Sequence, residues 1–140
     1  AVAQLEPLLV KKSGTVQWDL EKNERAIQAD EENLYLALFN IINNAIKYSA
    51  LPEIRITTSV QDQQYCISIK DNGAGIEASE TRKIFKKFYR VQNGNIHNVK
   101  GLGLGLYFTK KVIDGHHGNI MVKSIPGTGT EFRIELPLND

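Results

Sequence analysis

The stretch NIINNAIKYS, Asn40 to Ser49, decides the reading. Wound as a helix at about 100° per residue, it puts Asn40, Asn43, Asn44 and Lys47 on one narrow arc. Leu34, Leu38, Ile41, Ile42 and Ala45 fall on the opposite arc, which predicts a core face. The polar arc carries three amides and one ammonium, with no acidic partner among them. Amide oxygens are hard ligands suited to Mg2+, and an ammonium suits phosphate oxygens. The alternative is a solvated face. Solvated faces favour Glu and Lys, which form helices better than Asn.

Upstream of this stretch, Asp30 stands where an N-cap belongs, with a helix over residues 33–48 behind it. Residues 3–12 predict a short helix carrying Leu5, Leu8 and Leu9. Residues 15–20 alternate like a strand, and residues 25–29 offer it a short partner. Downstream, Leu51-Pro52 ends the long helix. Residues 53–60 and 64–70 predict a hairpin around residues 61–63. Residues 79–88 predict a short helix, 91–100 a mobile loop, and 103–114 another helix. Residues 119–125 and 130–136 predict closing strands about Pro126-Gly127. Helices mixed with mainly antiparallel strands predict an α/β fold, a two-layer sandwich with helices on one side of a mixed sheet.

Composition limits the function. The chain has 140 residues, 41% hydrophobic and 24% charged, which fits one soluble domain over residues 1–140. Lys and Arg number 17 against 16 Asp and Glu, a net charge of +1, so no field is present for nucleic acid or an acidic membrane. No run approaches the ~20 apolar residues of a membrane span. Cys66 is the single cysteine, which excludes an internal disulfide, favours a reducing compartment and reads as an apolar strand residue. The opening AVAQLEPLLVKK has neither an initiator Met nor a signal-peptide layout, and predicts a piece cut from a longer chain.

Three further motifs carry glycine. Asp71-Asn-Gly-Ala-Gly-Ile76 follows a strand; Gly73 and Gly75 allow a sharp turn and close approach of a planar ligand. Asp71 could accept a hydrogen bond from an exocyclic amine. Alone, this motif reads better as a strand-ending turn. Lys100-Gly-Leu-Gly-Leu-Gly-Leu106 opens a helix without a Ser, Thr or Asp cap, so its free N–H groups could take an anion. A flexible hinge is the alternative there. The spacing matches neither the dinucleotide fingerprint nor the P-loop. Gly127-Thr-Gly-Thr130 alone is a hairpin turn.

Taken in order, these pieces resemble the catalytic domain of bacterial-type sensor histidine kinases, in the superfamily of gyrase, the Hsp90 chaperones and MutL. Asn40 to Ser49 is similar to the family's N box, and Asp71 to Gly75 to its first glycine box. Phe85-Lys-Lys-Phe-Tyr-Arg90 is similar to its F box, and Gly101 to Gly105 and Gly127 to Thr130 to its remaining glycine boxes. The resemblance covers about residues 5–137. It implies a Bergerat-type ATP-binding fold, with ATP and Mg2+ bound. Asn40 and Asn44 would hold Mg2+ and phosphates, Lys47 would meet phosphate, and Tyr48 would pack near the nucleotide. Asp71 would read the adenine amino group, with Gly73, Gly75, Ile76 and Thr130 about the base. Arg90 would reach the γ-phosphate. Residues 89–102 would form a lid, and Lys100, Gly101, Leu102, Gly103, Leu104 and Gly105 would line the triphosphate. Asn40, Asn44, Lys47 and Arg90 would be the catalytic set.

Asn40 stands where the superfamily's hydrolases carry a glutamate that activates water, and a neutral amide cannot take that proton. Two departures from the pattern are Leu102, where Thr or Ser is common, and Ala78, where Pro is frequent. The phosphoacceptor box is absent: His97, His116 and His117 lack the following acid and downstream Pro, and read as surface or turn histidines. The implied partners are a histidine-bearing dimerisation domain of the same full-length kinase and a response regulator. The implied setting is a cytoplasmic domain, without membrane contact of its own, in a membrane-anchored protein. A hydrolase of the same superfamily and a docking module without enzymatic activity are the rival readings.

Overall fold

Period-two alternation over residues 53–70 builds the centre of the sheet. In the computed structural model, which describes residues 2–87, 89 and 105–138, β2 (Glu53–Gln61) and β3 (Gln64–Lys70) form the expected antiparallel hairpin. Asp62 and Gln63 close it, both at positive φ (50° and 66°). Two successive left-handed residues match the twist of paired strands.

The strand β1 (Thr15–Asp19) forms as expected, but its partner differs. Residues 25–29 form no strand, and β1 runs parallel to β2 with Val16 opposite Ile54 and Trp18 opposite Ile56. Since β3 holds one edge of β2 and β1 the other, residues 25–29 are left only the outer rim of the sheet. Ile27 packs on the core instead. A parallel neighbour requires a long crossover, and α2 (Glu31–Lys47) supplies it. Asp30 caps this helix, its Oδ1 accepting from the Asn33 amide at 3.1 Å.

Helix α2 buries Ala37, Ile41, Ile42, Ala45 and Ile46, while Leu34 and Leu38 pack half-buried against the same core. The helix α1 (Val2–Lys11) adds Leu5 and Leu9 to it. Lys12, just past α1, reaches the far end of α2. Its ammonium donates to the carbonyls of Ile46 (2.9 Å), Lys47 (3.0 Å) and Ser49 (3.2 Å). A cation on the last carbonyls of a helix satisfies free acceptors and opposes the dipole. Lys12→Met should therefore cost about 1–2 kcal/mol of stability. Urea unfolding with an unchanged midpoint would contradict this.

The segment after β3 departs from expectation. Only α3 (Ala78–Thr81) is helical, and residues 82–87 continue as turns. Lys83 N–H donates to Glu80 O and Lys86 N–H to Lys83 O, both three-residue steps. The anchors Ile84 and Phe85 are adjacent and so give no helical stripe. Ile84 is buried, and Phe85 meets Phe132 edge-on at 6.2 Å. Ala78 opens α3 at a position where Pro would be equally at home. The expected loop over residues 91–100 lies outside the described residues.

The helix α4 (Gly105–Gly115) agrees with the expected one where it is described. Its end is closed by Gly118 N–H on Ile113 O (3.0 Å), with His117 in the left-handed region at φ 59°. The strands β4 (Asn119–Ile125) and β5 (Gly129–Pro137) complete a sheet of order β1-β2-β3-β5-β4, antiparallel except at β1–β2. Helices α1, α2 and α4 cover one face. Ile54, Ile56, Ile67, Ile69, Phe132 and Ile134 meet them there, so the expected two-layer α/β sandwich is the fold. Cys66 is buried in β3. Among the described residues, no helix is long and apolar enough to cross a membrane.

Candidate functional site

The polar arc of α2 lies beside the start of α4. Asn40 Nδ2 donates to Gly105 O at 3.4 Å. Thr109, fully buried, donates to Gly105 O at 2.9 Å and lies 3.4 Å from Ala37 O, tying the two helices together. Asn40, Asn43 and Asn44 are half-buried and Lys47 is exposed. The side chains of Asn44 and Lys47 make no hydrogen bond or ion pair with another described residue, so their polar atoms remain available. Tyr48 follows at the C-cap, about half exposed.

The first glycine box is clamped between α2 and the β4–β5 turn. Ala74 N–H donates to Tyr48 O (3.4 Å), Gly127 N–H to Ala74 O (2.7 Å), and Ile76 N–H to Ser124 Oγ (2.7 Å). A Cβ at Gly73 would sit 2.9 Å from Tyr48 O and 3.0 Å from Ser49 Oγ. Gly75 has φ +76°, and a Cβ there would overlap the Ile125 carbonyl. Both positions require glycine for close approach.

Asp71 sits at the centre of this junction. Its amide donates to Thr130 O at 2.8 Å. Its Oδ1 accepts from Gly73 N–H (2.8 Å) and Thr130 N–H (3.3 Å). Its Oδ2 accepts nothing from the described residues. One oxygen thus closes the turn and the other is left for a donor. Burial pushes the Asp71 carboxyl above its ordinary value of 3.8, opposed by the two backbone hydrogen bonds. A carboxyl raised on folding binds more protons in the native state, so stability falls as pH rises from 3.8 through the raised value. Relative to Asp71→Asn, the parent should therefore gain stability on acidification through that window. Unfolding midpoints of the two that stay parallel with pH would contradict this.

Four of the expected regions thus meet: the N box, the first glycine box, Gly105, and Thr130 with its turn. Arg90, Lys100, Gly101, Leu102, Gly103, Leu104 and His97 lie outside the described residues. His116 is fully engaged: Asp30 N–H donates to Nε2 (2.8 Å), which leaves the ring proton on Nδ1 for Val112 O (2.7 Å). Among the described residues no cluster of three His, Cys, Asp or Glu could hold a metal.

Sequence reasoning missed Ser124 and Ser49. Ser124 Oγ touches Ile76 N, Gly129 O and Thr130 Oγ1, and Ser49 Oγ donates to Ala45 O while buried beside Gly73. The signal for Ser124 was its register. It shares parity with Ile120 and Val122, so a hydroxyl falls on the helix-facing side of the sheet.

Residues 29–140 match the family model described as histidine kinase-, DNA gyrase B-, and HSP90-like ATPase. The sensor protein RprX of Bacteroides fragilis is 42% identical over 129 residues, which are 90% of this chain and 25% of that protein. The chain thus spans about a quarter of that curated relative. Full-length ShkA, solved in complex with AMPPNP, superposes with TM-score 0.84 and 26% identity over 97% of this chain and 28% of that one. The catalytic domain of histidine kinase ThkA superposes with TM-score 0.82 and 26% identity, over 96% of this chain and 87% of that one.

Proposed function

The chain belongs to the family of histidine kinase-, DNA gyrase B- and HSP90-like ATPases, and from that premise we propose that it is the ATP-binding catalytic domain of a sensor histidine kinase. It binds ATP with Mg2+ and presents the γ-phosphate to a histidine on a separate helical dimerisation domain of the same full-length protein. A response regulator then receives the phosphoryl group. The domain works on the cytoplasmic side of a membrane-anchored protein and binds no nucleic acid.

One observation carries the reading. The Asn44 amide and Lys47 ammonium on α2, unclaimed by the described residues, and a half-claimed Asp71 carboxylate flank the first glycine box. Asp71 takes the adenine amino group, with Gly73, Gly75, Ile76, Tyr48 and Thr130 about the ring. Lys47, Arg90, Lys100 and the amides of residues 101–105 hold the phosphates. Asn40 and Asn44 offer amide oxygens to Mg2+, which when bound neutralises charge on the transferring phosphoryl oxygens. Such transfer needs positioning and charge neutralisation more than covalent chemistry. The amide of Asn40 favours kinase over hydrolase, because it cannot take a proton from water. His116 has both ring nitrogens engaged, which suits an acceptor histidine supplied from elsewhere.

Incubation with γ-labelled ATP tests this. The chain alone should label negligibly, and a matching dimerisation domain should be labelled in trans, slowly, because no tether raises its effective concentration. Asn44→Ala should lower that transfer about 100-fold or more by removing a metal or phosphate contact. The fold should survive, since Asn44 lies half-buried on the polar arc. Strong acid-labile labelling of the chain alone would contradict the separate acceptor, and steady phosphate release without labelled protein would favour the hydrolase.

A further inference from the structure

Ser124 lies one strand beyond the residues assigned to the base. Asp71, Thr130 and Ser124 form a polar row on the helix-facing side of the sheet, at the end of β3, on β5 and on β4. Thr130 is buried at 7% exposure and pairs in register with Ser124. The Ser124 hydroxyl has three neighbours: Ile76 N at 2.7 Å, Gly129 O at 3.0 Å and Thr130 Oγ1 at 2.8 Å.

Counting donors fixes the protons. A hydroxyl has one hydrogen and two lone pairs. Ile76 N–H can only donate, so it takes one lone pair of Ser124 Oγ. Gly129 O can only accept, so it takes the Ser124 hydrogen. The remaining lone pair of Ser124 Oγ then faces Thr130, whose hydrogen must fill it. This arrangement makes all three bonds. Turning the Ser124 hydrogen to Thr130 instead makes two and leaves Gly129 O with its ladder donor, Ile125 N–H, alone. Buried hydroxyls settle where all their bonds are made.

We infer that Ser124 is a specificity-determining residue for the nucleotide base: it draws the Thr130 proton away, leaving Thr130 Oγ1 only lone pairs to offer. Beside the unclaimed Asp71 oxygen, the site then presents acceptors alone. A purine with a donating 6-amino group satisfies them. A 6-oxo purine brings a further acceptor to that position and leaves buried groups unpaired, a penalty that discriminates strongly. Ser124 does this without touching the base. The inference rests on the nucleotide-binding reading above.

ATP and ITP are the probes, because their purines differ at the 6-position, amino against oxo, with the attendant N1 proton. Affinities of both are measured with Mg2+ on the parent, Ser124→Ala, Ser124→Thr and Ser124→Cys. Ser124→Ala frees the Thr130 hydroxyl to donate, and the preference for ATP over ITP should fall about tenfold. Ser124→Thr keeps the hydroxyl and should restore the preference. Ser124→Cys keeps the volume but bonds weakly, so it gives the same reading should Ser124→Ala not fold; the preference should fall at least about threefold. In a Thr130→Val background, Ser124→Cys should change the preference no further. A purely structural Ser124 would weaken ATP and ITP equally, and an unmoved ratio in Ser124→Ala or Ser124→Cys overturns the inference. A parent that binds ATP while the ratio stays fixed sinks only the role of Ser124. A parent that binds neither nucleotide sinks the underlying reading as well.

Discussion

Asp71→Asn is expected to lower ATP affinity by about 100-fold or more while the fold persists. Asparagine keeps an Oδ1, so the bonds from Gly73 N–H (2.8 Å) and Thr130 N–H (3.3 Å) survive. The second oxygen becomes an amino group. A donor then stands where the ligand's amino group must also donate. The variant loses a charge-assisted hydrogen bond, worth about 1.5–3 kcal/mol, and leaves two donors opposed. Stability should hold, because removing a half-buried charge offsets the weaker acceptor. Calorimetry with ATP and Mg2+, beside a thermal melt, separates the two effects. Binding equal to that of the parent would reduce Asp71 to a turn residue.

Among the described glycines, Gly129→Ala should be the most damaging, at about 2–5 kcal/mol. Gly129 holds φ +147°, a conformation that L side chains rarely adopt. A Cβ there would overlap the Asp71 carbonyl oxygen and sit 3.0 Å from Asp71 C and 3.1 Å from Asn72 Cα. All three are backbone atoms of the turn that carries the Asp71 carboxylate, so they cannot yield without moving it. Loss of nucleotide binding should accompany the loss of stability. Gly127→Ala is the control. Gly127 has φ +80° but open space around its Cβ position, so only the backbone penalty of about 1 kcal/mol applies. Similar losses for the two variants in urea unfolding would show that the close approach at Gly129 carries no weight.

The parts of this molecule that were legible in its sequence are those set by local rules. The period of 3.6 separated Ile41, Ile42 and Ala45 from Asn40, Asn44 and Lys47, and the structure buries the former and leaves the latter partly open. The β2–β3 hairpin was legible because two alternating runs flank a short turn. The partner of β1 was not, because parallel pairing across a whole helix leaves no mark in nearby residues. The helix expected over residues 79–88 shrank to four described residues, because Ile84 is held in the core and Phe85 against Phe132 rather than by helical periodicity.

The site divides the same way. Asp71 alone read as turn chemistry, and the structure gives one oxygen to that turn while the other stays unclaimed. The structure bears out the turn, and only the geometry shows that the same carboxylate keeps an oxygen the turn does not use. Ser124 could have been found from its inward parity after Ile120 and Val122. Lys12 could not, since its three carbonyl partners belong to a helix end more than thirty residues away.

The junction of α2, the first glycine box and the β4–β5 turn is expected to hold an adenine nucleotide with Mg2+. Calorimetric titration of the chain with ATP, and then with GTP, in excess Mg2+ tests it most directly. ATP should bind at a single site, with affinity on the order of micromolar to millimolar, and GTP far more weakly, because Asp71 would face a carbonyl instead of an amine. No heat of binding with ATP, or ATP and GTP bound alike, would contradict it.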